Sequence, residues 1–258
     1  MMCSVSSPSP SESLNWSSPI PFTWALIALL FLVHMGTGMW EWWRGYESVF
    51  DALVMDRSVR MRVAVGGQLD LSVNQGEVWR LVTSTLLHGD LLHLIVNCVA
   101  IAALGRLLEP LYGGVRMWAC FSVGAVLASC GSHLVGVIQS DGSSGGAFAL
   151  LAMASVLGFR WRHRLDAEDR RILGPILWGF VVLNLVLSIA LPFVDGVGHL
   201  VGFAVGIVLG CLPVRSRLGW QSGVSWLWLV GYFLVNLFGC WWVLQGMTAR
   251  QWALWWTG

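Results

Sequence analysis

Two short polar motifs interrupt long apolar stretches of this chain of 258 residues. Gly142–Gly145 reads Gly-Ser-Ser-Gly, and Gly198–Gly202 reads Gly-His-Leu-Val-Gly. An ionisable group in hydrocarbon is expensive, so a histidine at membrane depth is a candidate for function and usually faces a partner or water. The hydroxyl of Ser144 and the imidazole of His199 therefore suggest hydrolysis within a bilayer.

The composition indicates a membrane protein. Hydrophobic residues make up 56% of the chain, charged residues only 11%, and the mean hydropathy is +0.69, which is too apolar for a soluble domain. All positive residues are arginines and the net charge is +1, so we expect no nucleic-acid partner. Most of the cysteines lie in apolar runs without the pairing of a metal site. We therefore expect no zinc, no disulfide framework and no cofactor.

Seven apolar segments approach the roughly 20 residues that a membrane span needs, which predicts an all-α, polytopic membrane protein. They are Pro21–Trp40, Leu91–Leu108, Met117–Ile138, Ser144–Phe159, Ile172–Phe193, Val197–Val214 and Val224–Leu244.

Two other regions are not spans. Residues 1–20 are rich in Ser and Pro, which predicts a disordered tail, and they lack the positive n-region of a signal peptide. The connection 41–88 is too long for a turn. Its amphipathic stretch Glu47–Arg62 and its tryptophans, Trp79 among them, favour a segment in the headgroup region. A loose surface loop is the alternative.

The arginines orient the spans. They flank the second-to-third, fourth-to-fifth and sixth-to-seventh connections and are absent from the third-to-fourth and fifth-to-sixth. The positive-inside rule then makes the amino terminus cytoplasmic and the connection 41–88 external. The arginines of 41–88 conflict mildly, but long loops weigh less in that rule. Ser144 and His199 begin their spans, so both enter from the outer side.

The fourth span is short. Only 16 residues separate the start at Ser144 from Arg160, roughly 24 Å of helix against a hydrocarbon core of about 30 Å. The serine end should therefore lie below the surface, in a hydrated cavity enclosed by protein. A helix start also offers unpaired N–H groups at the positive end of its dipole, as an oxyanion requires.

Glycines predict that the fourth and sixth spans touch. The sixth span has glycine at every fourth position from Gly198 to Gly210, and the fourth span begins with small residues from Gly145 to Ala152. Small residues at this spacing let helix backbones approach closely. Ordinary transmembrane packing is the alternative, because the pattern is common.

Two polar residues share one face of the second span. His93 and Asn97 are four residues apart, and an imidazole and an amide can both donate to an oxyanion. An interhelical hydrogen bond is the alternative for Asn97. His88 is off that face, so we expect it to hold the loop.

These motifs match a family. His88–Asn97, Gly142–Gly145 and Gly198–Gly202 resemble, in order and spacing, the rhomboid intramembrane serine proteases. Glu77–Thr83 is similar to the Trp-Arg signature of that family's first loop. The resemblance runs from about Trp24 to Val214, and the seventh span is similar to the extra one of many members.

The resemblance implies a Ser-His dyad, with Ser144 as nucleophile and His199 as general base and then acid. Asn97, His93 and the Ser144 N–H would form the oxyanion hole, and Arg80 would help to hold the first loop at the lipid interface. For the nearby Asp141 and Asp195 we expect solvation in loops rather than a triad role. Structural residues near the site would be His88, Trp79, Arg80, Gly142, Gly145, Phe148, which packs against the His199 ring, and Gly202.

The sequence thus predicts a rhomboid-like six-helix catalytic domain over 21–214, with a seventh helix and short tail over 215–258. The expected activity is cleavage of transmembrane or membrane-proximal segments of other proteins, with membrane lipid as the other partner and no metal. We expect a multi-pass protein of a bacterial plasma membrane with an outward-opening site. A catalytically inactive relative that escorts membrane clients is the alternative. A channel or transporter would need charges within spans or paired broken helices.

Overall fold

The computed structural model of the chain describes residue 14 and residues 16–45, 48–191, 194–211 and 219–246. Most of the predicted tail 1–20 and the end of the chain after 246 lie outside this part. The described residues are mainly helical, with one two-stranded sheet, which confirms the all-α prediction. Strands β1 (Gln68–Leu69) and β2 (Gln139–Ser140) pair antiparallel.

Twelve α-helices, α1 to α12, follow one another through the described residues. Their bounds are Pro21–Trp43, Val49–Leu53, Val59–Ala64, Asp70–Asn74, Arg80–Thr83, Leu91–Tyr112, Gly114–Leu134, Ser144–Trp161, Ala167–Arg171, Leu177–Ala190, Gly196–Gly210 and Gly219–Gly246. A 3₁₀ turn, Ser84–Leu86, follows α5, and a π-helical turn, Ile172–Ile176, joins α9 to α10.

Six helical segments are long and apolar enough to cross a membrane: α1, α6, α7, α8, the continuous Ala167–Ser188 and the Gly223–Val243 part of α12. The chain is therefore a polytopic membrane protein. The predicted sixth span corresponds to α11, an apolar helix of 15 residues. The predicted end of that span, Val214, lies outside the described residues.

Helix ends within the described bundle are set by local chemistry. At the start of α1, the buried carboxylate of Glu109 accepts hydrogen bonds from the N–H groups of Phe22 (3.0 Å) and Thr23 (2.7 Å). It thereby satisfies amides that have no partner within the helix. Asp90 caps α6 through the N–H of His93 at 2.7 Å. Gly113, at φ +81°, makes the turn into α7 in a conformation that favours glycine.

Helix α8 lies at the centre of the bundle. Of its membrane-length window 72% is buried, compared with 33% for α1 and 22% for α12. Small residues of α8 allow α7 and α11 to approach it on two sides. A Cβ built on Gly202 would lie 2.3 Å from the carbonyl oxygen of Gly145, and one built on Gly206 would lie 2.2 Å from that of Ala149. The close contact predicted between the fourth and sixth spans is present.

The first loop is a folded unit of four short helices, α2 to α5, and not a loose surface loop. Exposed apolar side chains such as Phe50 and Met55 suit the predicted headgroup location. Trp79 does not, because it is buried, with α12 against its ring at Gly239. The Trp79 ring therefore serves internal packing and gives no support to the headgroup location, which stays a prediction.

Arg80 also acts inside the loop. Arg80 is buried and holds the first loop from within, and its place at a lipid interface stays a prediction. Its Nη1 donates to the carbonyl oxygens of Val63 (2.6 Å) and Gly67 (2.9 Å), and its Nε donates to Glu77 at 2.6 Å. A guanidinium offers several fixed donors, so one side chain joins α3, the start of β1 and α5.

Candidate active site

The structure brings the predicted serine and histidine together. Ser144 is the first residue of α8, and His199 lies in the first turn of α11. The distance between Ser144 Oγ and His199 Nε2 is 2.9 Å, a normal hydrogen bond. Each side chain is partly exposed. An imidazole at this distance can take the hydroxyl proton and activate the oxygen as a nucleophile.

Two further side chains hold the imidazole of His199. The ring of Phe148 stacks on it, with centroids 4.1 Å apart and an interplanar angle of 15°, so the predicted packing of Phe148 is present. The other ring nitrogen, Nδ1, is 2.6 Å from Ser188 Oγ on α10. Ser188 is absent from the residues predicted from sequence. A hydroxyl in an apolar helix commonly bonds to a carbonyl of its own helix, so its presence gave no signal.

The imidazole of His93 lies beside the loop that leads to Ser144. A Cβ built on Gly142 would be 2.9 Å from His93 Cε1 and 3.8 Å from Ser144 Oγ. Gly142 has φ +137°, so both its backbone conformation and its surroundings require glycine. His93, Gly142 and Ser144 therefore meet at the start of α8, as the sequence predicts.

Asn97 lies one turn further along α6 and is buried. Its amide nitrogen, Nδ2, has no hydrogen-bond partner among the described residues. This does not support the alternative interhelical hydrogen bond through the amide N–H. A buried donor without a partner is costly, so this amide has a hydrogen-bonding capacity that the described residues do not use.

His88 supports the loop that carries Ser144. Its Nε2 is 3.0 Å from Ser143 Oγ, and its ring meets that of His93 edge to face, with centroids 5.1 Å apart. Burial, with the charge of His93 as a smaller cause, holds the pKa of His88 well below its usual value. The ring therefore stays neutral at physiological pH. These contacts fit the expected role of holding the loop.

The two aspartates near the site are structural. Asp195 caps α11 through the N–H of Gly198 at 2.8 Å and accepts from the hydroxyls of Ser132 and Ser140, each at 2.5 Å. The solvation expected for it is wrong, because these bonds fasten β2 and α7 to the start of α11. Among the described residues, the carboxylate of Asp195 has no hydrogen bond to the His199 imidazole; only the backbone N–H of His199 bonds to Asp195, at its carbonyl oxygen (3.1 Å).

Asp141 is likewise not simply hydrated, since its side chain is only 5% exposed. It accepts from the N–H of Gln68 at 2.9 Å and from Gln139 Nε2 at 2.7 Å, and Arg62 Nε lies 3.6 Å away. Burial raises the pKa of Asp141 to about 6, against the opposing effect of the Arg62 charge. The carboxylate ties the loop before Ser144 to the first loop.

Ser144 and His199 open onto a small cavity of about 20 Å³, which is room for about one water molecule. Its polar lining consists of hydroxyls and one carboxylate: Ser84, Thr85, Ser129, Ser140 and Asp195, together with the dyad. A cavity is therefore present at the serine end of the fourth span, where the sequence predicts one, and its hydration stays a prediction.

Comparison with known proteins gives one consistent result. A family model described as the Rhomboid domain matches residues 75–216, more than half of the chain. RHOMBOID-like protein 5 of Arabidopsis thaliana is 36% identical over 182 residues, which cover 69% of this chain and 58% of that protein.

Some relatives carry the word protease in their names. Rhomboid protease GluP of Bacillus subtilis (strain 168) is 28% identical over 161 residues, which cover 61% of this chain and 31% of that protein. Rhomboid-like protease 3 of Toxoplasma gondii is 32% identical over 137 residues, or 52% of this chain and 51% of that protein. The chain spans about half the length of the curated relatives it matches.

Proposed function

This chain belongs to the rhomboid family, and from that premise we propose that it is an intramembrane serine endopeptidase. It hydrolyses peptide bonds in or near transmembrane segments of other membrane proteins. The observation that carries the proposal is the 2.9 Å contact between Ser144 Oγ and His199 Nε2, made by two helices of an apolar bundle.

The chemistry follows from the groups at hand. Ser144 Oγ attacks the scissile carbonyl carbon while His199 Nε2 takes the hydroxyl proton. His199 then gives that proton to the leaving amine as the C–N bond breaks. A water molecule, deprotonated by the same nitrogen, hydrolyses the acyl-enzyme and restores the Ser144 hydroxyl.

The oxyanion is stabilised by donors fixed before the substrate arrives. We assign His93, Asn97 and the N–H of Ser144 to this role. The unpartnered Nδ2 of Asn97 and the position of Ser144 at the first residue of α8 support it, because the N-terminus of a helix favours negative charge.

The substrate is a membrane-embedded segment that can leave the helical state, since an intact helix hides its carbonyls. A small residue at the scissile position suits a site only partly open. The arginine pattern supports an outward-opening site with a cytoplasmic amino terminus. The relatives that match are mostly plant proteins, so they lend no support to the bacterial plasma membrane expected from the sequence.

Reconstitution in liposomes tests the proposal. We expect the purified chain to cleave single-span substrates that carry helix-breaking residues near the outer end of the span. Matched substrates with an uninterrupted leucine helix should be cleaved more slowly. Products are identified by mass spectrometry. Binding of both substrates without any cleavage would contradict the proposal and favour the escort function.

Asn97→Ala tests the oxyanion assignment. Because a donor aimed at the oxyanion acts in the transition state, we expect kcat to fall by roughly 10² to 10³ with little change in KM. If His93 donates to the same oxyanion, the loss in kcat should lie near the lower end of that range. Asn236→Ala is the matched control, since Asn236 is a buried asparagine of α12 whose amide donates to Tyr232 O at 2.9 Å. A defect of Asn97→Ala confined to KM would contradict the assignment.

A further inference from the structure

The imidazole of His199 is held at both nitrogens, by two different helices. Nε2 contacts Ser144 on α8, and Nδ1 lies 2.6 Å from Ser188 Oγ on α10. We infer that Ser188 is a positioning residue, which fixes the tautomer and orientation of His199 and couples the dyad to the seating of α10. The inference rests on the proposed protease function.

The donors and acceptors around Ser188 Oγ indicate the direction of its two hydrogen bonds. Ser188 Oγ is also 2.7 Å from the carbonyl oxygen of Asn184, and a carbonyl oxygen can only accept. We assign the single hydroxyl hydrogen of Ser188 to Asn184, because a hydroxyl turned toward His199 would leave two oxygens 2.7 Å apart with no hydrogen between them. In this assignment Oγ accepts from His199 Nδ1–H. The proton of a neutral imidazole is then on Nδ1, and the lone pair of Nε2 faces the hydroxyl of Ser144. This is the tautomer that a general base requires.

The position of Ser188 depends on one narrow face of α10. Two residues of α10 that are seven apart, Val181 and Ser188, are buried. The residues exposed between them are Val182, Leu183, Val186 and Leu187. Residues seven apart lie on the same side of a helix. α10 thus packs against the bundle through the narrow face that carries Val181 and Ser188.

The start of α11 packs closely against α10 at Ser188. A Cβ built on Gly196 would lie 2.7 Å from the carbonyl oxygen of Ser188, so the backbone of α11 passes directly over the end of α10. His199 is three residues further on. A displacement of α10 from the bundle therefore removes the acceptor from Nδ1, while the Phe148 stack on α8 remains.

Three variants test this role. Ser188→Ala removes the acceptor, and we expect kcat to fall by about 10-fold to 100-fold with KM nearly unchanged. The loss is smaller than the ~10⁴-fold effect of a wrongly fixed tautomer in a charged triad, because the hydroxyl carries no charge. Ser188→Thr keeps the hydroxyl and should restore most of the activity. Ser155→Ala is the matched control.

Ser155 suits that purpose because it is a buried serine whose hydroxyl donates to the carbonyl oxygen of Leu151, four residues earlier, at 2.9 Å. It repeats the bond of Ser188 to Asn184 without a histidine. We expect Ser155→Ala to retain wild-type kcat.

A spectroscopic measurement separates positioning from general damage. In the chain labelled with ¹⁵N-histidine, the His199 signals, identified by their loss in His199→Asn, should show the Nδ1–H tautomer. In Ser188→Ala they should shift toward the Nε2–H form. Unchanged signals, or a wild-type kcat in Ser188→Ala, would overturn the inference while Ser144-dependent cleavage by the wild type still stood. Absence of cleavage by the wild type would instead count against the proposed function, and the tautomer measurement would still decide the role of Ser188.

Discussion

Ser144→Ala and His199→Ala are each expected to abolish cleavage while leaving expression and membrane insertion unchanged. Removal of a nucleophile or its base from a serine hydrolase costs on the order of 10⁶ in kcat, because the two groups act as a unit. The double variant should therefore be no worse than either single one. Loss of one partly exposed hydroxyl should cost only about 1 kcal/mol of stability.

The measurement is product formation from a single-span substrate in liposomes, together with the thermal unfolding of each purified variant. Ser155→Ala again serves as a control, since it deletes a buried hydroxyl from the same helix as Ser144. Substantial proteolysis by purified Ser144→Ala would remove the proposed nucleophile. A large drop in Tm for that variant alone would show that the serine is needed for folding.

Much of the site could be predicted because polar and ionisable side chains are costly to place in a lipid bilayer. Polar groups stand out against apolar spans, so Ser144 and His199 are visible in the sequence, and glycine spacing indicates which spans meet. The same logic found His93 and Asn97, which share a face by helical period alone.

Contacts that depend on how helices tilt could not be predicted. Ser188 reaches His199 only because α10 is seated where it is, and the π-helical turn before α10 contributes to that direction. The sequence carries a sign of this turn, Gly174 followed by Pro175, since proline lacks an amide donor and disturbs regular helix. Hydropathy nevertheless predicts only that Ile172–Phe193 is a span and not where its helix bends.

The first loop shows a second limit. Composition predicts a lipid interface for Trp79, and the family resemblance implies one for Arg80, yet both side chains are buried within the protein. Aromatic and guanidinium groups serve equally well as internal packing and as donors to backbone carbonyls. A loop with its own buried side chains cannot be distinguished by composition from one that lies on the membrane.

Gly202→Val is expected to damage both stability and activity. A Cβ at this position would lie 2.3 Å from the carbonyl oxygen of Gly145 and 3.1 Å from its Cα. The obstacle is backbone, which cannot rotate away, so α8 and α11 must separate. Overpacking of this kind typically costs about 1 to 3 kcal/mol. A shift of about 1 Å in the dyad can cost on the order of 100-fold in rate, and Gly145 directly follows the serine.

Two controls assign the cause. Gly36→Val places valine in α1, where nothing lies within 4 Å of the added Cβ, so it reports only the intrinsic effect of valine in a helix. In Gly210→Val the added Cβ would lie 3.0 Å from Val156 Cβ and 3.1 Å from Met153 Cα, which is a milder clash. Gly210 is also about two helical turns further from His199 than Gly202 is. We expect Gly210→Val to lower Tm less than Gly202→Val and to retain most of its cleavage rate. The contact between α8 and α11 brings Ser144 and His199 within 2.9 Å. If Gly202→Val were fully stable and fully active, the dyad could not depend on that contact.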